Sequence, residues 1–334
     1  TLIYLDSDLS NPITLTGPEG NTTDGYDLSS YRIYGGCYNI QSPAATVETT
    51  SVTMEGGKVD LIHGGGHGAS ASGAEPTSIV TGTASVTLKG GVTGSLYGGG
   101  RVGVMTGGTR VTINGGTVTG TVFAGHSNRG KITGNMMLTM TGGTVEGNMR
   151  ILVNDIDAPA SSATVVISGG TVKGELTSRA EDKATLTVSG SAQIGTAGSE
   201  GKGLQYKNFQ SVTIADTPTV RFEPGSAAVV GETVATASAL TNLSLCGSEA
   251  DKFELELVSN AVTLKAKAQG HTHNWGKIWE KDDTGHWHEC YAGDPCPITD
   301  HTQKDGYAVH ANGDEYKSDN DNHWKECVCG HRMG

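Results

Sequence analysis

Residues 109–125 read TRVTINGGTVTGTVFAG, and this stretch contains the pattern that decides the fold. A run rich in β-branched residues leads into a Gly-Gly pair, and a second short apolar run then ends at another glycine. β-branched residues favour strands, and glycine adopts the positive φ angles that tight corners require. Because such short strands cannot bury an apolar face alone, the pattern predicts a fold in which they are stacked.

The pattern repeats along most of the chain. Its strand-forming runs are residues 52–54, 86–88, 111–113, 138–140, 165–167, 186–188 and 212–214, and the first five lead into a Gly-Gly pair. Successive Gly pairs are mostly 25 to 27 residues apart, with one step of 34. A β-propeller blade needs roughly 40 to 50 residues, so the shorter period favours one coil of a solenoid. We therefore predict an all-β fold, a parallel β-helix of about seven to nine coils.

The composition of the chain changes sharply near residue 270. Eight of the eleven histidines, four of the six cysteines and all four tryptophans lie in residues 271–334. This change predicts an N-terminal cap over residues 1–40, the β-helix over residues 41–268 and a Cys/His-rich module over residues 271–334. The module divides into residues 271–305 and 308–334, and we expect the second part to be truncated.

The net charge excludes some classes of partner. The chain carries a formal charge of −12, which argues against nucleic acid and against an anionic membrane surface. No apolar run is long enough to cross a membrane as a helix.

The repeated motif, strand-GG-T-V-x-G followed by Y/F-G-G-G, resembles the Gly-rich right-handed parallel β-helix (pectate-lyase-like) regions of large Gram-positive surface proteins. The resemblance covers most of residues 50–215 and implies a right-handed coil and an extracellular, cell-surface location. We expect the secretion signal and the cell-surface anchor to lie outside this sequence.

Two units of the Cys/His-rich module repeat at an offset of 37 residues. His273 matches His310, and the block His286-Trp287-His288-Glu289-Cys290 matches His323-Trp324-Lys325-Glu326-Cys327. Thiolates and imidazoles are preferred zinc ligands, and a unit this small with few aliphatic residues needs a metal or disulfide to be stable.

Three chemical hypotheses follow for the module, and the third is that its cysteines are free thiols. A structural zinc ion would be held in the first unit by His273, Cys290, Cys296 and His301, and in the second by His310, Cys327 and Cys329, with His331 as a candidate fourth ligand. Alternatively the cysteines form disulfides, for which Cys290 and Cys296 are a suitable pair, whereas a bridge from Cys327 to Cys329 would be strained.

The module also resembles the tandem H…W…HWxEC…C…H repeats of large Firmicutes surface proteins. This resemblance covers residues 271–334. It implies an extracellular spacer or interaction module, which we expect to be zinc-ribbon-like.

The coil alignment also predicts two columns of side chains. His63, Tyr97, Phe123 and Arg150 fall at matching positions, so His63 is interpreted as one rung of a stacked column rather than as a metal ligand. After the next Gly-rich corner come His67, Arg101 and either His126 or Arg129. These residues form either a basic stripe that binds an anionic sugar or carboxylate, or a set of unrelated turn residues.

Three classes of function remain open from the sequence. The leading prediction is an extracellular structural or adhesive surface protein, with host or cell-wall glycans or proteins as partners. The second is a non-catalytic carbohydrate-binding module, and the third is a polysaccharide lyase or glycosidase of the β-helix class. Carboxylates do not recur at the one-coil offset that would pair them on neighbouring coils, which favours a non-enzymatic protein.

Overall fold

The computed structural model describes residues 2–3, 13–15, 27–39, 44–68, 77–126, 130–151, 162–178, 183–267, 273–291 and 298–333. The chain divides into two compact units, an N-terminal unit of residues Thr1–Lys267 and a C-terminal unit of residues Ala268–Gly334. Strands dominate both units, and the helical segments described are three short 3₁₀ helices, Tyr206–Asn208, Ala250–Lys252 and His301–Gln303. The predicted all-β class is confirmed.

The repeated runs of the sequence form one long parallel sheet, here called the core sheet. Val111 pairs with Val86 of the preceding repeat and with Leu138 of the following one. Its strand therefore pairs with the equivalent strands of the two adjacent repeats. Alternate residues of these strands, such as Val111 and Ile113, are fully buried, because side chains of a strand alternate between its two faces. The period-2 pattern of the sequence therefore stacks apolar side chains directly above one another.

The strands of the core sheet, in the order in which they pair, are Ile13–Leu15, Thr50–Met54, Ala84–Leu88, Thr109–Ile113, Met136–Met140, Ala163–Ile167, Ala184–Val188, Ser211–Ile214, Thr233–Thr236, Ala261–Ala266 and Phe253–Val258. The last two are antiparallel and close this end of the sheet.

A second parallel sheet, the long sheet, contains the runs that follow the Gly-Gly pairs. Its main path is Leu2–Ile3, Asp27–Tyr34, Lys58–His63, Val92–Tyr97, Thr117–Val118, Thr144–Val145, Thr171–Val172, Gln193–Ile194, Thr219–Phe222 and Leu243–Leu245, and Val122–Phe123, Met149–Arg150 and Leu176–Thr177 pair beside it. A third, short sheet consists of Ala45–Val47, Ser78–Val80, Gly103–Met105 and Gly130–Ile132. The described strands before residue 40 extend the parallel sheets.

The two glycines of each repeated pair have different roles. Gly116 has a φ of 73°, a conformation that L side chains rarely adopt, so it makes the corner between the core and long sheets. Gly115 has no such φ, but a Cβ there would collide with the carbonyl oxygen of Lys89 in the preceding repeat. The pair therefore permits both the turn and the close approach of successive repeats, and the long parallel sheets are compatible with a β-solenoid.

The predicted column at His63 is confirmed. Tyr34, His63, Tyr97 and Phe123 are aligned in the long sheet, and their rings stack at centroid distances of 4.7, 4.4 and 4.7 Å. We call this column the aromatic ladder. Arg150 pairs with Phe123 and so occupies the next position of this column, as the coil alignment predicts.

The C-terminal unit contains two small antiparallel sheets. The first is formed by Trp275–Lys281, Gly285–Cys290 and Ala308–Val309, and the second by Tyr316–Ser318, His323–Glu326 and Arg332–Met333. Across both units, the described residues include no helix that is long and apolar enough to span a membrane.

Candidate metal centre

The blocks His286–Cys290 and His323–Cys327, here called the first and second HW blocks, lie on equivalent strands and make equivalent local contacts. Trp287 donates its indole N–H to Glu289 at 2.8 Å, and Trp324 donates to Glu326 at 2.9 Å. The hairpin turn before each block is built on an aspartate, since Asp282 accepts backbone N–H groups of Thr284 and Gly285 and Asp319 accepts those of Asp321 and Asn322. The 37-residue duplication is therefore also a structural duplication.

Four ligand-type side chains meet in the C-terminal unit: His286, His310, Cys327 and Cys329. Each offers one ligand atom, and these atoms all lie within 4.8 Å of one another. The Sγ of Cys327 is 3.4 Å from Nδ1 of His286, and the Sγ of Cys329 is 3.5 Å from Nδ1 of His310. One ligand therefore comes from the first HW block, and the other three come from the second repeat.

The donor set and spacing suit a tetrahedral zinc ion. Zn–S and Zn–N bonds of about 2.3 and 2.0 Å place the ligand atoms of a tetrahedron roughly 3.3 to 3.8 Å apart. Two of the ligand-atom separations already fall in this range. The remaining ones, at most 4.8 Å, need a contraction of about an ångström to reach it. A group of two thiolates and two imidazoles is a common structural zinc site.

The local environment favours the metal-binding protonation states of two of the ligands. Burial, together with the positive charges of His310 and His288 when protonated, lowers the pKa of His286, which keeps its imidazole neutral. Burial also opposes ionisation of Cys327, but backbone N–H groups of Cys329 and Ala311, together with His310, outweigh it and lower the pKa of this thiol to about 6. Burial raises the pKa of Cys329, so Cys327 ionises first.

Surrounding contacts orient two of the ligands. Nε2 of His310 lies 2.6 Å from the carbonyl oxygen of Asp282, so this nitrogen carries the proton and Nδ1 is left to bind metal. The two cysteines lie on a tight turn in which Gly330 has a φ of 74° and donates its N–H to the carbonyl of Cys327. The C-V-C-G sequence therefore brings both thiols to one side of a hairpin.

The structure brings the predicted ligands of the second unit together only in part. His310, Cys327 and Cys329 are brought together, but His331 is not part of the cluster. The ring of His331 instead stacks on that of His310 at a centroid distance of 3.9 Å. His286 takes the fourth position.

The predicted ligands of the first unit are not brought together among the described residues. His273 stacks on Trp275 at 4.4 Å, and His301 stacks on Trp287 at 4.7 Å. Nε2 of His301 also lies 3.6 Å from a carboxylate oxygen of Asp282. Cys296 lies outside the described residues, so a first-unit site that includes Cys296 and Cys290 stays a prediction. The thiols of Cys327 and Cys329 are free, so no bridge joins these two cysteines, and the alternative disulfide of Cys290 and Cys296 stays a prediction.

The structure places two of the residues predicted for the basic stripe next to each other. Nη1 of Arg101 lies 3.1 Å from Nε2 of His67, so these two side chains are direct neighbours. His126 is buried and contacts the carbonyl of Gly100 through Nδ1 at 3.2 Å, so it is not an exposed member of a stripe. Arg129 lies outside the described residues.

His286 is the member of the cluster that is not predicted as a candidate ligand from the sequence, although a signal for it is present. The residue opens the first HW block, where the sequence pattern identifies it as part of the repeat rather than as a ligand.

Comparison of the chain with known protein families, with curated proteins and with solved structures finds no match to any of them.

Proposed function

We propose that the chain is a non-catalytic structural or adhesive part of an extracellular surface protein, in which a right-handed parallel β-helix acts as a stiff scaffold and a zinc ion holds the C-terminal unit together. The observation that carries the proposal is the four-ligand cluster of His286, His310, Cys327 and Cys329.

The small size of the C-terminal unit supports a structural role for the metal. Many of its large side chains remain at the surface, for example Ile278 at 71%, Tyr316 at 70% and Val328 at 69% exposure. A unit with so little apolar burial requires another source of stability, and a structural zinc site supplies it by binding only the folded state. The closed set of four protein ligands leaves no open position for substrate, which favours a structural over a catalytic metal.

The contacts within the N-terminal unit support the proposed role of this unit as a scaffold. Successive repeats are joined by in-register strand pairing and by ion pairs between neighbouring repeats. Lys89 pairs with Glu55 at 3.1 Å and Lys173 with Glu146 at 2.8 Å. These carboxylates thus face a lysine of the next repeat rather than a second carboxylate, which favours a structural role over that of a lyase or glycosidase. A non-catalytic carbohydrate-binding module is the alternative, and one corner of the N-terminal unit favours it.

Zinc analysis of paired variants tests the metal assignment. His323 occupies in the second block the position that His286 occupies in the first, but it is exposed and lies outside the cluster. His286→Ala should therefore remove one equivalent of zinc per chain relative to the natural sequence, and the matched His323→Ala should remove none. Because all four tryptophans lie in the C-terminal unit, their fluorescence reports its unfolding separately.

Cobalt substitution adds a direct readout of the ligands. Thiolate-to-cobalt absorption in the full chain should weaken in Cys329→Ser and disappear in Cys327→Ser/Cys329→Ser, unless the first unit binds a second ion. Equal zinc content in the natural chain and in His286→Ala would refute the cluster as a metal site. Loss of zinc from His323→Ala to the same extent as from His286→Ala would also count against it.

A further inference from the structure

One corner of the N-terminal unit brings an aromatic residue, a histidine and an arginine together on neighbouring repeats. Tyr38, His67 and Val102 are aligned by single parallel bridges, and Arg101 directly precedes Val102. The ring of His67 lies 5.1 Å from that of Tyr38, and its Nε2 lies 3.1 Å from the guanidinium of Arg101. We call these three residues, Tyr38, His67 and Arg101, the corner cluster.

The imidazole at the centre of the cluster has unused hydrogen-bonding capacity. His67 is only 9% exposed, and among the described residues its buried Nδ1 has no hydrogen-bond partner. Because the guanidinium of Arg101 can only donate, Nε2 of His67 accepts, and Nδ1 carries the ring proton. A buried donor without a partner is uncommon in folded proteins and indicates a group that is filled by water or by a ligand.

The arginine of the cluster is available for an anion. In the part of the chain that the structure describes, Arg101 contacts an imidazole but no carboxylate, whereas nearby Arg32 is paired with Asp60 at 3.3 Å. The remaining N–H groups of a guanidinium form a planar fork that matches a carboxylate. The protein as a whole carries a charge of −12, so attraction of an anion has to come from a local arrangement of this kind.

The exposed ring on the other side of His67 from the arginine narrows the class of ligand. Tyr38 is 39% exposed, and its ring lies next to His67 on the same corner. An aromatic ring and a cation that flank the same buried imidazole suit a ligand that has both a C–H face and a carboxylate. We propose that the corner cluster binds an acidic sugar, with the carboxylate held by Arg101 and the sugar ring packed against Tyr38.

A metal is not the ligand that this corner favours. The described side chains assemble one group of potential metal ligands, in the C-terminal unit, and His67 is not in it. The proposed sugar site does not depend on the metal centre, so either proposal can fail without the other.

Binding of acidic oligosaccharides to the full chain tests the proposal. The probes are oligosaccharides of hyaluronan, polygalacturonate and polysialic acid, each paired with its carboxyl-reduced or esterified counterpart, and a glutamate peptide of equal charge. Calorimetry at an ionic strength of about 0.15 M limits non-specific attraction. At least one acidic oligosaccharide should bind, and its uncharged counterpart should bind roughly tenfold more weakly or not at all.

Two arginine variants locate the site. Arg101→Gln should weaken binding roughly tenfold or more. Arg110→Gln should leave it unchanged, because Arg110 is an exposed arginine of the core sheet whose guanidinium contacts Met137 at 3.0 Å. Tyr38→Ala should weaken binding to the oligosaccharide without altering the thermal unfolding of the chain.

The outcomes separate the ligand classes. No binding by any acidic oligosaccharide, equal binding by the uncharged counterparts, or unchanged binding by Arg101→Gln would each overturn the proposal. Tighter binding of the glutamate peptide than of the sugars would replace the sugar with a peptide carboxylate as the ligand.

Discussion

Acidification should destabilise the N-terminal unit through His63 of the aromatic ladder. This side chain is 1% exposed, and burial, followed by the charges of His67, Arg101, His126 and Arg32, lowers its pKa from 6.5 to about 3. In the unfolded chain the same imidazole takes up a proton below its ordinary pKa of about 6.5. The stabilising contribution is therefore complete above pH 6.5 and is lost as the pH falls towards 3.

The size of the effect follows from the difference between the two pKa values. At pH 4.5 the unfolded imidazole is protonated and the folded one is neutral, which corresponds to a loss of about 3 kcal/mol relative to pH 7.5. A typical domain is stable by about 5 to 15 kcal/mol, so one buried histidine has a visible effect. His67 and His126 also have lowered pKa values because of burial, and they act in the same direction.

The aromatic ladder also suggests the control substitution for this experiment. Tyr97 and Phe123 occupy the equivalent positions of later repeats, so His63→Phe keeps a stacked ring and removes the titrating group. Urea unfolding of both chains should be followed by far-UV circular dichroism, which is dominated by the larger N-terminal unit. The natural chain should lose about 3 kcal/mol more than His63→Phe between pH 7.5 and pH 4.5. Equal losses in the two chains would refute burial of a neutral His63 as the cause.

Further substitutions test the packing of the N-terminal unit by thermal or urea unfolding. Ile113→Ala, which empties a fully buried position of the core sheet, should lower the free energy of unfolding by about 2 to 5 kcal/mol. Gly116→Ala should lower it by about 2 kcal/mol or more, because φ is 73° and a Cβ would lie 2.9 Å from backbone atoms of the preceding repeat. Gly225→Ala, where a Cβ meets nothing within 4 Å, is the control and should change it by less than about 0.5 kcal/mol. Lys173→Ala removes an exposed ion pair and should lower it by less than about 1 kcal/mol, and a larger loss would show that these pairs hold the repeats together.

The repeating part of the fold was predictable from the sequence because its causes are local. Apolar residues at every second position, such as Val111 and Ile113, favour a strand that buries one of its faces. The glycine pair that follows the strand permits the corner. The short sheet around Ala45–Val47 was not predicted in detail, since its strands contain only three residues each. Such short runs gain their strand conformation from neighbours that a single sequence does not reveal.

The candidate metal centre was predictable only in part, because its side chains combine local and distant positions. The spacing of Cys327 and Cys329 indicates a turn that presents two thiols, and the duplication indicates that His310 belongs with them. His286 lies 41 residues before Cys327 and joins the cluster only because the first HW strand packs near the second repeat. The duplication suggested that each unit holds its own ion, whereas the packing places a ligand of one repeat in the site of the next.

The sequential strand pairing of the N-terminal unit has a mechanical consequence. Within the parallel part of the core sheet, each inner strand pairs with the strand one repeat before it and with the strand one repeat after it. A pulling force applied at an end therefore acts on one row of hydrogen bonds at a time. Detaching a repeat of 25 to 27 residues releases about 90 Å of extended chain and exposes another row of the same kind. Stretched as a tether, the protein should lengthen stepwise, one repeat at a time.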